Sequence, residues 1–115
     1  FMTGITAPGL QTCADALTQK AANLPKFEIV SPGSVITKNT VESMQAGLVY
    51  GHIGEAEFII DEIRKHFNCP DMKVIATGGL GRVIHEEKEG IFDVYDPVLA
   101  LKGLRLIYEK NKGRR

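Results

Sequence analysis

A run from Val41 to Phe67 reads as one uninterrupted helix, yet it carries Gly47, Gly51 and Gly54 at i, i+4 and i+7. That spacing lines the three glycines along a single face. Each interior glycine costs a helix about 0.8–1 kcal/mol relative to alanine, so the three together oppose it by about 2–3 kcal/mol. A chain tolerates this where a second helix, a partner subunit or a ligand needs close access to the backbone. Directly ahead stands the polar tripeptide Lys38-Asn39-Thr40. Either Asn39 or Thr40 can cap the helix, since both side chains can accept an N-terminal backbone N–H. With Asn39 as cap, Glu42 falls at the third helical position, a capping-box variant. Val41, Met44, Leu48, Val49, Tyr50 and Ile53 spread apolar surface around the first half, which predicts burial on more than one face. The second half is amphipathic, with Ile59, Ile60, Ile63 and Phe67 against Glu57, Asp61, Glu62, Arg64 and Lys65.

The remaining elements follow from shorter signals. Gly4 and Pro8-Gly9 make a turn-rich start. Leu10 to Leu24 reads as a helix with Leu10, Cys13, Ala14, Leu17, Ala21 and Leu24 on its apolar face, ended by Pro25. Phe27 to Val30 reads as a short strand closed by Ser31-Pro32-Gly33, and Val35-Ile36 as extended. Lys73 to Ala76 reads as a strand buried on both faces. It runs into Thr77-Gly78-Gly79, after which Leu80 to Glu87 is helical. Ile91 to Val94 is a short extended piece. Asp96-Pro97 predicts a capped helix start, with Val98 to Asn111 following and Leu101, Leu104, Ile107 and Tyr108 inward. The order defines an α/β domain.

Bulk properties narrow the function classes. The 115 residues suit one domain, and 43% hydrophobic with 24% charged residues matches an ordinary globular protein. Fourteen basic and fourteen acidic residues balance, so no long-range field favours nucleic acid or an anionic membrane. The basic Lys110–Arg115 tail reads as a solvated end. Cys13 and Cys69 form no disulfide framework or metal-ligand spacing and read as buried or idle thiols in a reducing cytoplasm. The first residue, Phe1, opens the chain in mid-pattern, so it reads as a piece of a longer protein.

Few residues carry chemistry. A strand opening into Thr77-Gly78-Gly79 and then a helix is the geometry of a ligand loop, with N–H groups suited to a phosphate or nucleoside; the same glycines also serve a plain strand-to-helix turn. Gly79-Leu80-Gly81 begins a dinucleotide fingerprint, but Ile84 occupies its third glycine position. Thr40 is either a helix cap or a ligand contact. His66 and His85 read as solvated, and only His52, beside Gly51, merits attention. No nucleophile elbow or paired carboxylates stand out, so the catalytic and metal sets read as none.

In combination these motifs resemble the type III pantothenate kinases, in their C-terminal half. Gly4-Ile5-Thr6-Ala7-Pro8-Gly9-Leu10 looks like the family's G-G-x-I-x-P-G-L segment, followed by Ala16-Leu17 and Leu24-Pro25. Lys38-Asn39-Thr40-Val41-Glu42-Ser43-Met44-Gln45-Ala46-Gly47 resembles its K-N-T helix start. Thr77-Gly78-Gly79-Leu80 and Asp96-Pro97-x-Leu99-x-Leu101-x-Gly103-Leu104 complete the series in order. Thr3, Thr6 and Thr37 depart from the family pattern at loop positions.

The resemblance implies a ribonuclease-H-like lobe of the actin-like ATPase fold, with a mixed sheet packed by helices including one long central helix. It implies that residues 1–115 are the C-terminal lobe of a two-lobed kinase whose N-terminal lobe lies outside this chain. The implied reaction is transfer of the ATP γ-phosphate to pantothenate, the first step of coenzyme A synthesis. The implied enzyme is a cytoplasmic homodimer that uses a divalent cation such as Mg and a monovalent cation, K or ammonium. Thr40, with Asn39, would contact pantothenate; Thr77, Gly78 and Gly79 would border the adenosine. The metal-binding carboxylates and base of the N-terminal half are not in this segment, so the piece alone is expected to be inactive. A nucleotide-binding regulatory or interaction module of the same superfamily is the alternative.

Overall fold

In a computed structural model, residues 1–20 and 26–113 are described. The elements are α1 (Leu10–Lys20), α2 (Thr40–His66), β1 (Ile75–Ala76), α3 (Gly81–Glu87), β2 (Val94–Tyr95) and α4 (Leu99–Asn111). The Ala21, Leu24 and Pro25 parts of the expected first helix, and the end of the basic tail, lie outside the described residues.

The long helix takes its limits from local chemistry. Asn39 is the cap: its Oδ1 accepts the Glu42 N–H at 2.9 Å. At the other end Asn68 adopts φ 49°, the left-handed conformation that asparagine tolerates. The Cys69 N–H then donates to Arg64 O and the Asn68 N–H to Lys65 O, the paired bonds of a Schellman ending.

The core forms where α1 crosses the first half of α2. Leu10 and Ala14 pack with Leu48, Val49 and Ile53, and Ile84 of α3 and Ile91 close the cluster. Val49 is fully enclosed. Burial on several sides of the first half of α2 is therefore observed, down to Gln45, whose Nε2 donates to Glu28 O.

Four expectations are corrected. Phe27 to Val30 is not a strand; Phe27 and Ile29 are half-buried in strand-like alternation, but no described neighbour offers a ladder. Lys73 to Ala76 shortens to Ile75–Ala76, and Ile75 is 56% exposed rather than buried on both faces. The sheet is a parallel pair with Ile75 opposite Val94 and Ala76 opposite Tyr95, not a mixed sheet. On α4, Leu101, Leu104, Ile107 and Tyr108 point outward, and the helix buries nothing. Its apolar stripe is present, but no described element covers it.

These open faces show in the dimensions. The Cα radius of gyration is 17.6 Å, against about 13 Å for a compact domain of this length. The accessible surface is 8663 Å², where a compact monomer of this mass has about 6,200 Å².

Candidate functional site

The start of α2 separates two neighbouring residues by role. Because Asn39 supplies the capping oxygen, Thr40 is released from that task. Thr40 is exposed, its carbonyl accepts the Ser43 hydroxyl at 2.8 Å, and among the described residues its own hydroxyl has no partner. Ser43 and Gly47, on the next turns, line an apolar groove of about 720 Å³ against Cys13, Ala16 and Leu17 of α1. His52 also lines that groove. Its Nδ1 donates to Leu48 O at 2.7 Å, and its Nε2 lies 3.2 Å from Pro8 O and 3.9 Å from Cys13 Sγ. His52 thus lies between the N-terminal segment and α2. Cys13 is half-buried there, whereas Cys69 is exposed, and both are free thiols.

Gly47, Gly51 and Gly54 are exposed, and a Cβ added to any of them would meet nothing within 4 Å. Among the described residues no second helix uses the access they create.

The second candidate is the bend after β1. Thr77-Gly78-Gly79 leads from the strand towards α3, and Gly78 takes φ +97°, a conformation open to glycine at little steric cost. The Tyr95 hydroxyl donates to Gly78 O. The Tyr95 ring stacks on His85 at 5.8 Å and 24°, and Phe92 stacks on the same imidazole at 6.4 Å and 14°. His85 is thus not solvated as expected; it is half-buried, and its Nδ1 is buried without a partner among the described residues. Tyr95 escaped the sequence reading, and His85 entered it only as a solvated side chain. Their positions, 17 and 7 residues from Gly78, carry no periodic signal for this contact.

A third contact links the helices. The Tyr50 hydroxyl donates to Glu87 Oε1 at 2.5 Å and lies 3.2 Å from Ser31 Oγ. The Ser31 and Tyr50 hydroxyls hold the Glu87 carboxyl below its ordinary range, while the bond to Glu87 raises the Tyr50 phenol.

The 26–29 segment touches both α2 and the residue that follows the bend. Gln45 of α2 holds Glu28 O, and Phe27, Glu28 and Ile29 share a groove of about 440 Å³ with Leu80, next to the bend. Asn39 and Thr40 line neither this groove nor the α1–α2 groove.

Similarity to known proteins now bears on these features. A family model described as type III pantothenate kinase matches residues 1–62. The chain belongs to the type III pantothenate kinase family. A type III pantothenate kinase from Agathobacter rectalis is 53% identical over 110 residues, covering 96% of this chain and 42% of the relative. The family match takes in the Asn39-Thr40 helix start and the glycine face, and the relative's alignment extends over nearly all the rest. The chain thus spans less than half the length of this type III pantothenate kinase.

Proposed function

We propose that this chain forms the C-terminal lobe of a kinase that transfers the ATP γ-phosphate to pantothenate, at the start of coenzyme A synthesis. The observation that carries this reading is the family membership, joined to a free Thr40 hydroxyl at the family's K-N-T helix start. In this reading Thr40 hydrogen-bonds pantothenate, and Asn39 holds the corner by capping α2. The backbone of Thr77, Gly78 and Gly79 borders the nucleotide. The lobe adopts the ribonuclease-H-like half of the actin-like ATPase fold. Its uncovered surfaces, the α4 stripe and the glycine face, suit an N-terminal lobe and a second subunit of a cytoplasmic homodimer.

The cations of the reaction, Mg and K or ammonium, belong to the same reading. Among the described residues no three His, Cys, Asp or Glu side chains gather as a metal site. No step is therefore routed through a metal in this chain. What the lobe itself contributes is orientation: a hydroxyl at one corner, backbone donors at the other, and a packed core between them. Positioning of this kind carries much of the catalysis of phosphoryl transfer.

The test is direct. The full-length kinase, given ATP and pantothenate, is expected to form a product heavier by one phosphoryl group at the terminal hydroxyl, as read by mass spectrometry. ATP hydrolysis or nucleotide binding without that product would favour the regulatory alternative.

A further inference from the structure

β1 and β2 run parallel with Ala76 opposite Tyr95, so Tyr95 stands beside the residue at which the chain leaves β1 for the bend. The next residue reinforces this, with the Asp96 N–H on Ala76 O at 2.9 Å. From there the Tyr95 hydroxyl donates to Gly78 O. The ring lies so close to Gly81 that a Cβ there would come within 3.1 Å of Tyr95 Cε2. Its face stacks on His85. One side chain thus touches the bend, the first residue of α3 and the imidazole one turn later.

The consequence follows from peptide geometry. The peptide joining Gly78 and Gly79 is trans and planar, so its C=O and N–H point in opposite directions. With the Gly78 carbonyl held by Tyr95, the Gly79 N–H points away from Tyr95. Among the described residues it finds no protein acceptor. Gly78 would otherwise be among the most conformationally free residues of the bend. We propose that Tyr95 is a positioning residue of the nucleotide site: it locks the 78–79 peptide so that the Gly79 N–H is presented to an acceptor oxygen or nitrogen of ATP. The proposal rests on the reading of Thr77-Gly78-Gly79 as the nucleotide-bordering bend.

The experiment compares Tyr95→Phe and Gly79→Ala in the full-length kinase by steady-state kinetics and thermal melting. Tyr95→Phe keeps the ring over Gly81 and His85 and removes only the hydroxyl. It is expected to raise KM for ATP about fivefold, the factor set by one ordinary hydrogen bond, with KM for pantothenate and kcat within about twofold. An unchanged KM for ATP would overturn the role of Tyr95, as would equal rises in both KM values together with a lowered melting temperature. Gly79→Ala separates the two readings, because its added Cβ meets no protein atom within 4 Å and intrudes only on a ligand. If Gly79→Ala raises KM for ATP and Tyr95→Phe does not, the bend binds nucleotide and the positioning proposal fails. If neither changes it, the nucleotide reading of the bend fails as well.

Discussion

The Tyr50 hydroxyl and the Glu87 carboxylate meet at 2.5 Å, joining the middle of α2 to the last residue of α3. Ser31 Oγ completes the group at 3.2 Å from the phenol. Nearby, Lys88 Nζ, just past the end of α3, and Glu57 Oε1 of α2 pair at 2.5 Å, but both side chains are exposed, and such surface pairs contribute little. The hydroxyl–carboxylate contact is the stronger tie. Since α3 follows the glycine bend, this tie also fixes the helix that the bend leads into against α2.

Replacing Tyr50 with Phe removes that bond while keeping the ring. A loss of about 1 kcal/mol is expected, the net value of one hydrogen bond, measurable as a lowered urea or thermal midpoint. No loss would show that packing alone holds α3.

The same contact predicts an acid dependence. The folded Glu87 carboxyl is held below its ordinary range by Ser31 and Tyr50, so its contribution is present above the unfolded glutamate value, about 4.3. It is lost as pH falls through the lower folded value. The stability difference between wild type and Glu87→Gln should therefore be constant near neutrality and shrink in acid. A difference that grows on acidification would contradict the assignment.

Asn39 and Thr40 should separate in their effects. Asn39→Ala removes the cap and should cost about 0.5–2 kcal/mol of stability. Thr40→Ala should leave the melting midpoint nearly unchanged and, in the full-length kinase, raise KM for pantothenate far more than KM for ATP. Equal rises in both constants would remove Thr40 from the substrate site.

Gly51→Ala distinguishes the chain from its surroundings. Its new Cβ meets nothing within 4 Å, so helix propensity should stabilise the 115-residue chain by about 0.8–1 kcal/mol, read by circular dichroism melting. If the glycine face serves another lobe or subunit, the same change in the full-length kinase should lower activity or stability instead. A gain in both contexts would leave the face without a role.

The outward stripe of α4 gives a prediction for the isolated chain. Leu101, Leu104 and Ile107 are 60–66% exposed, and contiguous apolar surface of this kind is unusual on a free monomer. Changing all three to Gln should sharply reduce binding of a hydrophobic dye while shifting the melting midpoint little. A large loss of stability would mean that α4 packs on the core after all.

Several features were legible because they are made by residues close in sequence. The start of α1 at Leu10, a cap at Asn39 or Thr40 and the length of α2 all follow from side chains within a turn or two of the backbone they serve, and the structure chose Asn39. Asp96 is an instructive partial case. It does accept the Val98 N–H, and Lys102 pairs with its other oxygen at 2.7 Å, which together hold its carboxyl below the usual range. Yet residues 97 and 98 form a turn, and α4 begins at Leu99. Aspartate-proline marked the place but not the first helical residue.

What the sequence by itself determined was the helical framework, the family and the two corners that carry its motifs, since capping, periodicity and glycine spacing act over a few residues. Only the tertiary structure decided that Tyr95 reaches Gly78, that His85 leaves solvent for an aromatic stack, and that the apolar stripe of α4 stays uncovered. These depend on parallel register and on the presence or absence of a neighbouring surface. Such contacts join residues distant along the chain, so no local pattern encodes them.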